Sequence, residues 1–368
     1  MNSPARECSV LLCGYYGEHN LGDDALLEVL LSELPPRCRP LVTAHDGPSV
    51  KAKHGSVRTV PRRSLLATVR SVLAVDALVL GGGSLLQDST SFKSLIYYLS
   101  LITVARLSGK HVILWGQGLG PLKTRLSRAL VRAVLPRVQA IGWRDPASQA
   151  LAARWGLQVP SLMAADPVWS YPGMGWQGGH CSTEDRTGLV LCWRPTDHLD
   201  DQGWCQLLQV VDALAKANDL PVTWIAFHQH QDQQLPEDLL VMHAIPVELR
   251  RRSRFVPAVS LSQVMGVFAR SQLVLPMRLH ALILAQLAGA PCAALSYDPK
   301  VEAAASMAGV DCIDLQRLPS AAELHARWSA QLMQPADAAC LERIRLDAAR
   351  HGDLLREQLQ IVQNQTRH

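Results

Sequence analysis

The stretch that decides the fold is residues 8–34, CSVLLCGYYGEHNLGDDALLEVLLSEL. Its apolar run, Cys8 to Cys13, stops at Gly14, Tyr15, Tyr16 and Gly17. After Asn20, Leu21, Gly22, Asp23 and Asp24 a helical stretch follows from Ala25 to Leu34, closed by Pro35-Pro36. That is a strand, a loop and a helix. The unit recurs: Ala77 to Leu80 runs into Gly81-Gly82-Gly83-Ser84, and His111 to Trp115 runs into Gly116-Gln117-Gly118-Leu119-Gly120-Pro121, each ahead of a helical segment. Such alternation predicts a parallel sheet with helices on both faces, and ligands beyond the carboxyl ends of its strands.

Outward from there, the pattern breaks in a Gly, Pro and Trp-rich stretch around Pro167 to Gly188 and then resumes. Strands are expected at Leu189–Trp193, Val222–Phe227, Arg254–Val256, Leu273–Leu275 and Cys292–Leu295, with helices near 204–217, 261–269 and 279–287. We expect an α/β fold of two Rossmann-like domains with parallel sheets: 1–168, a linker at 169–187, and 188–368 with a terminal amphipathic helix from Ala338 to Val362. With 48% apolar and 18% charged residues in a chain of 368, there is material for two cores.

Composition excludes several classes. No apolar run reaches the ~20 residues of a membrane span, and the first ten residues lack a signal peptide's apolar stretch, so a cytoplasmic location is expected. Nine cysteines form no CxxC pair, which suits reduced, mostly buried thiols. The net charge of +4 is uneven: residues 1–170 hold 19 Lys+Arg against 11 Asp+Glu, leaving 17 against 21 for the rest. That excess suits an anionic ligand or an acidic membrane surface. Nucleic acid is not expected, because basic residues are not interleaved with aromatics.

The glycine runs fit neither GxGxxG nor GxxxxGK[ST], which removes most of the weight from dinucleotide binding and ATP hydrolysis. The sharper signal is Met277-Arg278-Leu279-His280-Ala281, which follows a strand and opens a helix. A guanidinium there can take a carboxylate or phosphate, and an imidazole two residues on can act as acid or base. Arg144, Arg194 and Lys300 also follow predicted strands, so four cations are expected to line one cleft. His228-Gln229-His230-Gln231-Asp232 alternates as a strand would and could mimic a metal site; a loop contacting substrate or solvent is the favoured alternative, and no metal is expected.

In order along the chain, Gly14–Gly17 with Asn20–Asp24, Gly81–Asp88 with Thr90-Ser91, Tyr97-Tyr98, Gly116–Pro121, Trp143–Asp145, Ala165–Pro167, Trp193-Arg194, Met277–Ala281 and Ser296–Val301 form a set that resembles the polysaccharide pyruvyl transferase family, most closely its cell-wall (CsaB-type) branch. The resemblance implies a GT-B-like fold with the active-site cleft between its two domains, 1–168 on the acceptor side and 188–368 on the donor side. It implies phosphoenolpyruvate as donor, a cell-envelope or lipid-linked sugar such as N-acetylmannosamine as acceptor, a 4,6-pyruvate ketal as product, and no metal or redox cofactor. The donor site maps onto Arg144, Arg278, His280 and Lys300, with Arg194 beside them; His280, Arg278 and Arg144 are the expected catalytic residues. Tyr16, Asn20, Asp23, Asp88 and Gln117 are the expected acceptor residues. A lipid-linked acceptor also implies peripheral contact with the inner face of the cytoplasmic membrane. The rival readings are a GT-B glycosyltransferase using a nucleotide sugar and a non-catalytic sugar-binding scaffold.

Overall fold

The computed structural model describes residues 7–55, 57–89, 91–173, 185–242, 244–257, 260–332 and 334–365. Thr90, Cys181 and most of the expected linker lie outside the described residues. The chain forms two compact units: Met1–Glu18 with Asp23–Pro172 and Arg345–His368, and His19–Gly22 with Gly173–Ile344. These bounds differ from the expected ones at two places. Four residues of the first glycine loop join the second unit, and the last 24 residues join the first.

The first unit is built on seven parallel strands: β1 (Cys8–Cys13), β2 (Cys38–Ala44), β3 (Arg58–Pro61), β4 (Ala77–Leu86), β5 (His111–Leu119), β6 (Ala140–Trp143) and β7 (Ser161–Met163). Their order is β3-β2-β1-β4-β5-β6-β7, so the sheet reverses direction of growth between β1 and β4. That switch point is where crevices open in doubly wound sheets. The connecting helices are α1 (Leu21–Ser32), α2 (Gly47–His54), α3 (Leu65–Ala74), α4 (Phe92–Leu107), α5 (Arg125–Val134) and α6 (Pro146–Arg154). Their starts are written locally: Asp46, Ser64, Ser91, Thr124 and Asp145 each accept a hydrogen bond from a backbone N–H of the first turn.

The glycine runs expected as loops are instead strand. β4 continues through Gly81, Gly82 and Gly83 to Leu86, and β5 through Gly116 and Gly118 to Leu119, with register shifts in the pairing. The reason is close approach. A Cβ on Gly81 would sit 2.1 Å from the Tyr16 hydroxyl, and one on Gly116 would sit 2.4 Å from Pro167.

The second unit carries β8 (Leu189–Cys192), α7 (Asp201–Ala217), β9 (Val222–Ala226), α8 (Gln229–Asp232), α9 (Leu235–Val241), α10 (Val247–Arg252), β10 (Ser253–Pro257), α11 (Leu261–Ala269), β11 (Leu273–Pro276), α12 (Leu279–Leu287), β12 (Ala293–Ser296), α13 (Pro299–Ala308), β13 (Asp311–Asp314) and α14 (Ala321–Gln331). Its parallel sheet runs β10-β9-β8-β11, and a bridge from Val274 to Cys292 brings the β12-β13 pair alongside. Trp193, Trp204, Trp224 and Trp328 fill the core on one face. The final helix, α15 (Ala338–Gln365), gives its last three-quarters to the first unit: the indole N–H of Trp115 donates to the His351 carbonyl, and Asp347 accepts from the Ala165 N–H.

Of the cysteines, Cys8, Cys13, Cys192 and Cys292 are buried free thiols, while Cys38, Cys205, Cys312 and Cys340 are partly buried. Among the described residues no helix is long and apolar enough to cross a membrane.

Candidate functional site

In the first unit the carboxyl ends of β4, β5 and β6 surround Arg144. Its side chain is 7% exposed; Nη1 donates to Asp166 at 2.8 Å and Nη2 to the Ser84 hydroxyl at 3.0 Å. A Cβ on Gly118 would crowd Ser84 at 2.7 Å and Arg144 at 3.3 Å, which accounts for glycine in that part of β5. Asp145 is a helix cap, accepting from the N–H and hydroxyl of Ser148. Arg144 is therefore held in a fixed rotamer by a buried carboxylate.

Three expected acceptor residues are committed to the scaffold. The Tyr16 hydroxyl donates to the Gly81 carbonyl at 2.6 Å, and the ring is buried. Gln117 is also fully buried, its amide donating to the carbonyls of Leu80 and Trp115. Asp88 accepts from the N–H groups of Lys123 and Thr124 and so organises the turn into α5. Tyr16 and Gln117 shape the switch point from beneath, and Gln117 Oε1 has no hydrogen-bond partner among the described residues. Asp23 stays at the first turn of α1, near Gly83.

Sequence reasoning missed an ion-pair cluster at the same end of the unit. Glu18, 5% exposed, pairs with Arg62 and, at 3.3 Å, with Arg63. Arg62 also lies 4.5 Å from the centre of the Tyr15 ring and donates to the Tyr98 hydroxyl. Burial, followed by the Glu18 charge, holds the Tyr15 phenol above its usual range. The one available signal was the Arg62-Arg63 pair directly after a strand.

The second unit holds the other expected residues. Arg278 is the residue before α12 and supplies no side-chain cap. Its guanidinium turns instead to Asp232: Nε donates to Oδ2 at 2.7 Å, and Nη2 donates to Oδ1 and, at 3.1 Å, to Gln231. Asp232 is 3% exposed and also accepts the His228 backbone N–H at 2.8 Å. The segment 228–232, expected as a loop rather than the strand-like alternation of a metal site, forms α8, because β9 ends at Ala226 and the Asp232 N–H turns back to the His228 carbonyl. The strand-face alignment of His228, His230 and Asp232 is thereby lost. Among the described residues no group of three or more His, Cys, Asp or Glu is placed to hold a metal ion.

His228 is 5% exposed, and neither ring nitrogen has a hydrogen-bond partner among the described residues. Burial and then the adjacent Arg278 charge lower its pKa, so the ring is neutral at physiological pH. The chain segment His19–Gly22 closes over it. Asn20 bridges to His228, the Leu21 N–H donates to the Phe227 carbonyl, and the Gln229 N–H donates to the His19 carbonyl, each of the latter two at 3.1 Å. Asn20, expected on the acceptor side, thus belongs to the unit that carries Arg278 and His280.

Gly22 packs directly on His280. A Cβ there would lie 2.1 Å from His280 Nδ1 and 3.0 Å from its Cβ, so the imidazole could not keep its place. Gly22→Ala is expected to lower turnover about 100-fold through ring displacement, although alanine favours the first turn of α1. Steady-state kinetics on variant protein with an unaltered circular dichroism spectrum checks this, and full turnover would remove His280 from the chemistry.

Arg194 follows β8, lies 5.7 Å from the Tyr297 ring centre, and leaves a buried Nε without a hydrogen-bond partner among the described residues. His198 stacks on the same ring at 4.8 Å. Lys300 is half-buried in the first turn of α13, behind the cap Asp298. Beside Asp232, Trp193, Trp224 and Phe255 line an apolar cavity of about 180 Å³.

A family model described as polysaccharide pyruvyl transferase matches residues 20–299, a span that contains Arg144, Asp166, Asp232, Arg278 and His280. The chain belongs to the polysaccharide pyruvyl transferase family. It is an enzyme family, and its fold here is of the GT-B-like, two-unit α/β kind. Methanocaldococcus jannaschii UDP-GlcNAc 2-epimerase is similar with a TM-score of 0.61 at 11% identity, covering 91% of this chain and 98% of that one. Anabaena HepE, solved with UDP-glucose, is similar at 0.56 and 12% identity over 98% and 99%. A glycosyltransferase of Rickettsia africae is similar at 0.54 and 10% identity over 98% and 99%. At such identities the likeness shows a shared fold alone. None of the curated proteins matches the chain in sequence.

Proposed function

We propose that the protein transfers a pyruvyl group from phosphoenolpyruvate to two hydroxyls of a cell-envelope or lipid-linked sugar, forming a 4,6-ketal on an N-acetylmannosamine-type unit and releasing phosphate. The observation that carries this reading is the buried Arg278–Asp232 pair at the start of α12, beside His280 and the unpartnered ring of His228. Phosphoenolpyruvate puts a phosphate and a carboxylate on a three-carbon frame, and a fixed guanidinium with imidazoles around it is the complement of such an anion.

In the proposed sequence one sugar hydroxyl adds at C2 of phosphoenolpyruvate while C3 takes a proton, with His280 as the acid or base. Loss of phosphate then leaves C2 electron-poor, and the second hydroxyl adds there and gives up its proton to close the ketal. Arg278 offsets the charge of carboxylate and phosphate, and Lys300 and Arg194, carried by the same unit, assist as phosphate departs. His228, neutral and buried, offers a hydrogen bond to the donor or to a sugar hydroxyl.

The test is phosphate release from phosphoenolpyruvate with and without an N-acetylmannosamine-containing acceptor, with the product weighed for the added ketal. Acceptor-dependent release with that mass gain is expected. No release, together with tight binding of a nucleotide sugar, would replace this reading with a glycosyltransferase.

A further inference from the structure

The outer surface of α3, α4 and α5 stands apart from the rest of the first unit. These helices pack side by side, α3 on α4 and α4 on α5, and bury their inner faces in one core cluster through Val72, Leu95, Ile102 and Val131. Their outer faces are not polar in the ordinary way. On α3, Leu66 is 72% and Leu73 49% exposed; on α4, Phe92, Ile96 and Leu107 lie on one stripe at helical spacing, and Leu107 is 84% exposed. Between α4 and α5 runs an open apolar groove of about 330 Å³, floored by Leu99, Val104, Leu130 and Val134.

Charge surrounds this apolar surface with a single sign. From Arg62 to Arg137 the chain carries eleven Lys+Arg against two Asp+Glu, and α3, α4 and α5 contain no acidic residue at all. Of those two acids, Asp88 is occupied by the turn into α5, and Asp76 accepts from the N–H and hydroxyl of Ser9 at the opposite end of the sheet. Arg70, Lys93, Arg125 and Arg128 are exposed on the three helices themselves.

We infer that this three-helix face docks on an anionic lipid bilayer, with the exposed leucines entering the headgroup boundary and the basic side chains meeting the phosphates. Exposed apolar side chains in a cationic frame are the composition that binds such surfaces. Each cation near the headgroups adds attraction, and burial of the leucines adds to it. A second copy of the chain is disfavoured as the occupant, because a symmetric contact through this face would set two strongly cationic surfaces against each other. The inference needs only the surface of the first unit and does not depend on which group the enzyme transfers.

Full-length protein is sedimented with vesicles of phosphatidylcholine alone and of phosphatidylcholine containing about one-third phosphatidylglycerol, at low salt and at about 0.5 M salt. Binding to the anionic vesicles, loss of it at high salt, and weak binding to the neutral ones are expected. The variants L66S/L107S and R70E/R125E are each expected to weaken binding at least about tenfold, since two exposed leucines or two reversed charges exceed 1.4 kcal/mol. L346S removes an equally exposed leucine elsewhere, 64% exposed on α15, and is expected to bind as the parent does. No sedimentation with anionic vesicles, or equal loss in L346S and L66S/L107S, would overturn the inference. The readout involves no turnover, so failure of pyruvyl transfer and failure of docking are separate results.

Discussion

Replacing Arg278 by lysine is expected to lower kcat/KM for phosphoenolpyruvate about 100- to 1000-fold, a loss of roughly 3 to 4 kcal/mol of transition-state stabilisation. The charge survives in this variant, but the geometry does not. Arg278 spends Nε and Nη2 on Asp232, and a planar fork can do that while keeping Nη1 for a ligand. An ammonium on a flexible stem cannot meet both demands. Asp232→Asn is the companion test, because Asp232 acts through Arg278 as a positioning residue. With the carboxylate gone, the guanidinium loses its orientation and an uncompensated charge stays in a site only 12% exposed. Breaking such a buried pair costs about 3 to 5 kcal/mol of stability. The kinetic signature separates the roles: R278K should lower kcat/KM in a folded protein, whereas D232N should also lower the thermal midpoint and shift the acid limb of the pH–rate profile as His228 loses its ordered neighbour. Parent-like kcat/KM in R278K would take Arg278 out of donor binding.

Acidification between pH 6.5 and pH 4 is expected to destabilise the first unit through His351. This residue sits on α15, fully buried; its Nε2 is 3.1 Å from the Ala165 carbonyl, and Nδ1 has no hydrogen-bond partner among the described residues. A carbonyl can only accept, so Nε2 carries a proton in either state, and burial disfavours a second one on Nδ1. Burial lowers its pKa from 6.5 to about 4. Between those values the unfolded chain takes up a proton that the native state refuses, so stability falls as pH drops through 6.5 and the loss levels off below 4. The whole effect is about 3 kcal/mol, with about 2 kcal/mol already lost at pH 5. Denaturant unfolding at pH 7.5 and pH 5 reads it, and His351→Gln, which keeps a donor for the Ala165 carbonyl, should flatten the difference. An unchanged pH slope in that variant would assign acid sensitivity to other groups.

Much of the candidate site was legible because it lies at element ends. Arg144, Arg194, Arg278 and Lys300 each follow an apolar run, and a parallel sheet gathers such ends on one edge of each unit. What the four residues do there was not legible. Two of them are held by buried carboxylates: Arg144 by Asp166 and Arg278 by Asp232. The partners lie 22 and 46 residues away in sequence, and no periodicity links them. That Tyr16 and Gln117 donate to backbone carbonyls was not legible either, since a polar side chain among apolar neighbours looks the same in sequence whether it faces solvent or a carbonyl.

By itself, the sequence determined the alternation of strands and helices, the resemblance carried by ordered motifs from Gly14 to Val301, and the basic bias of the first half, all of which are properties of neighbouring residues. Tertiary structure alone decided that the glycine runs continue as strand, that His228–Asp232 turns as a helix, that His19–Gly22 packs over His228 and against His280, and that α15 returns to the first unit. Each of these depends on what the chain meets after folding. Glycine beside Tyr16 or His280 is required by the atoms opposite it, and a carboxylate such as Asp232 takes its partner from strand order rather than from spacing.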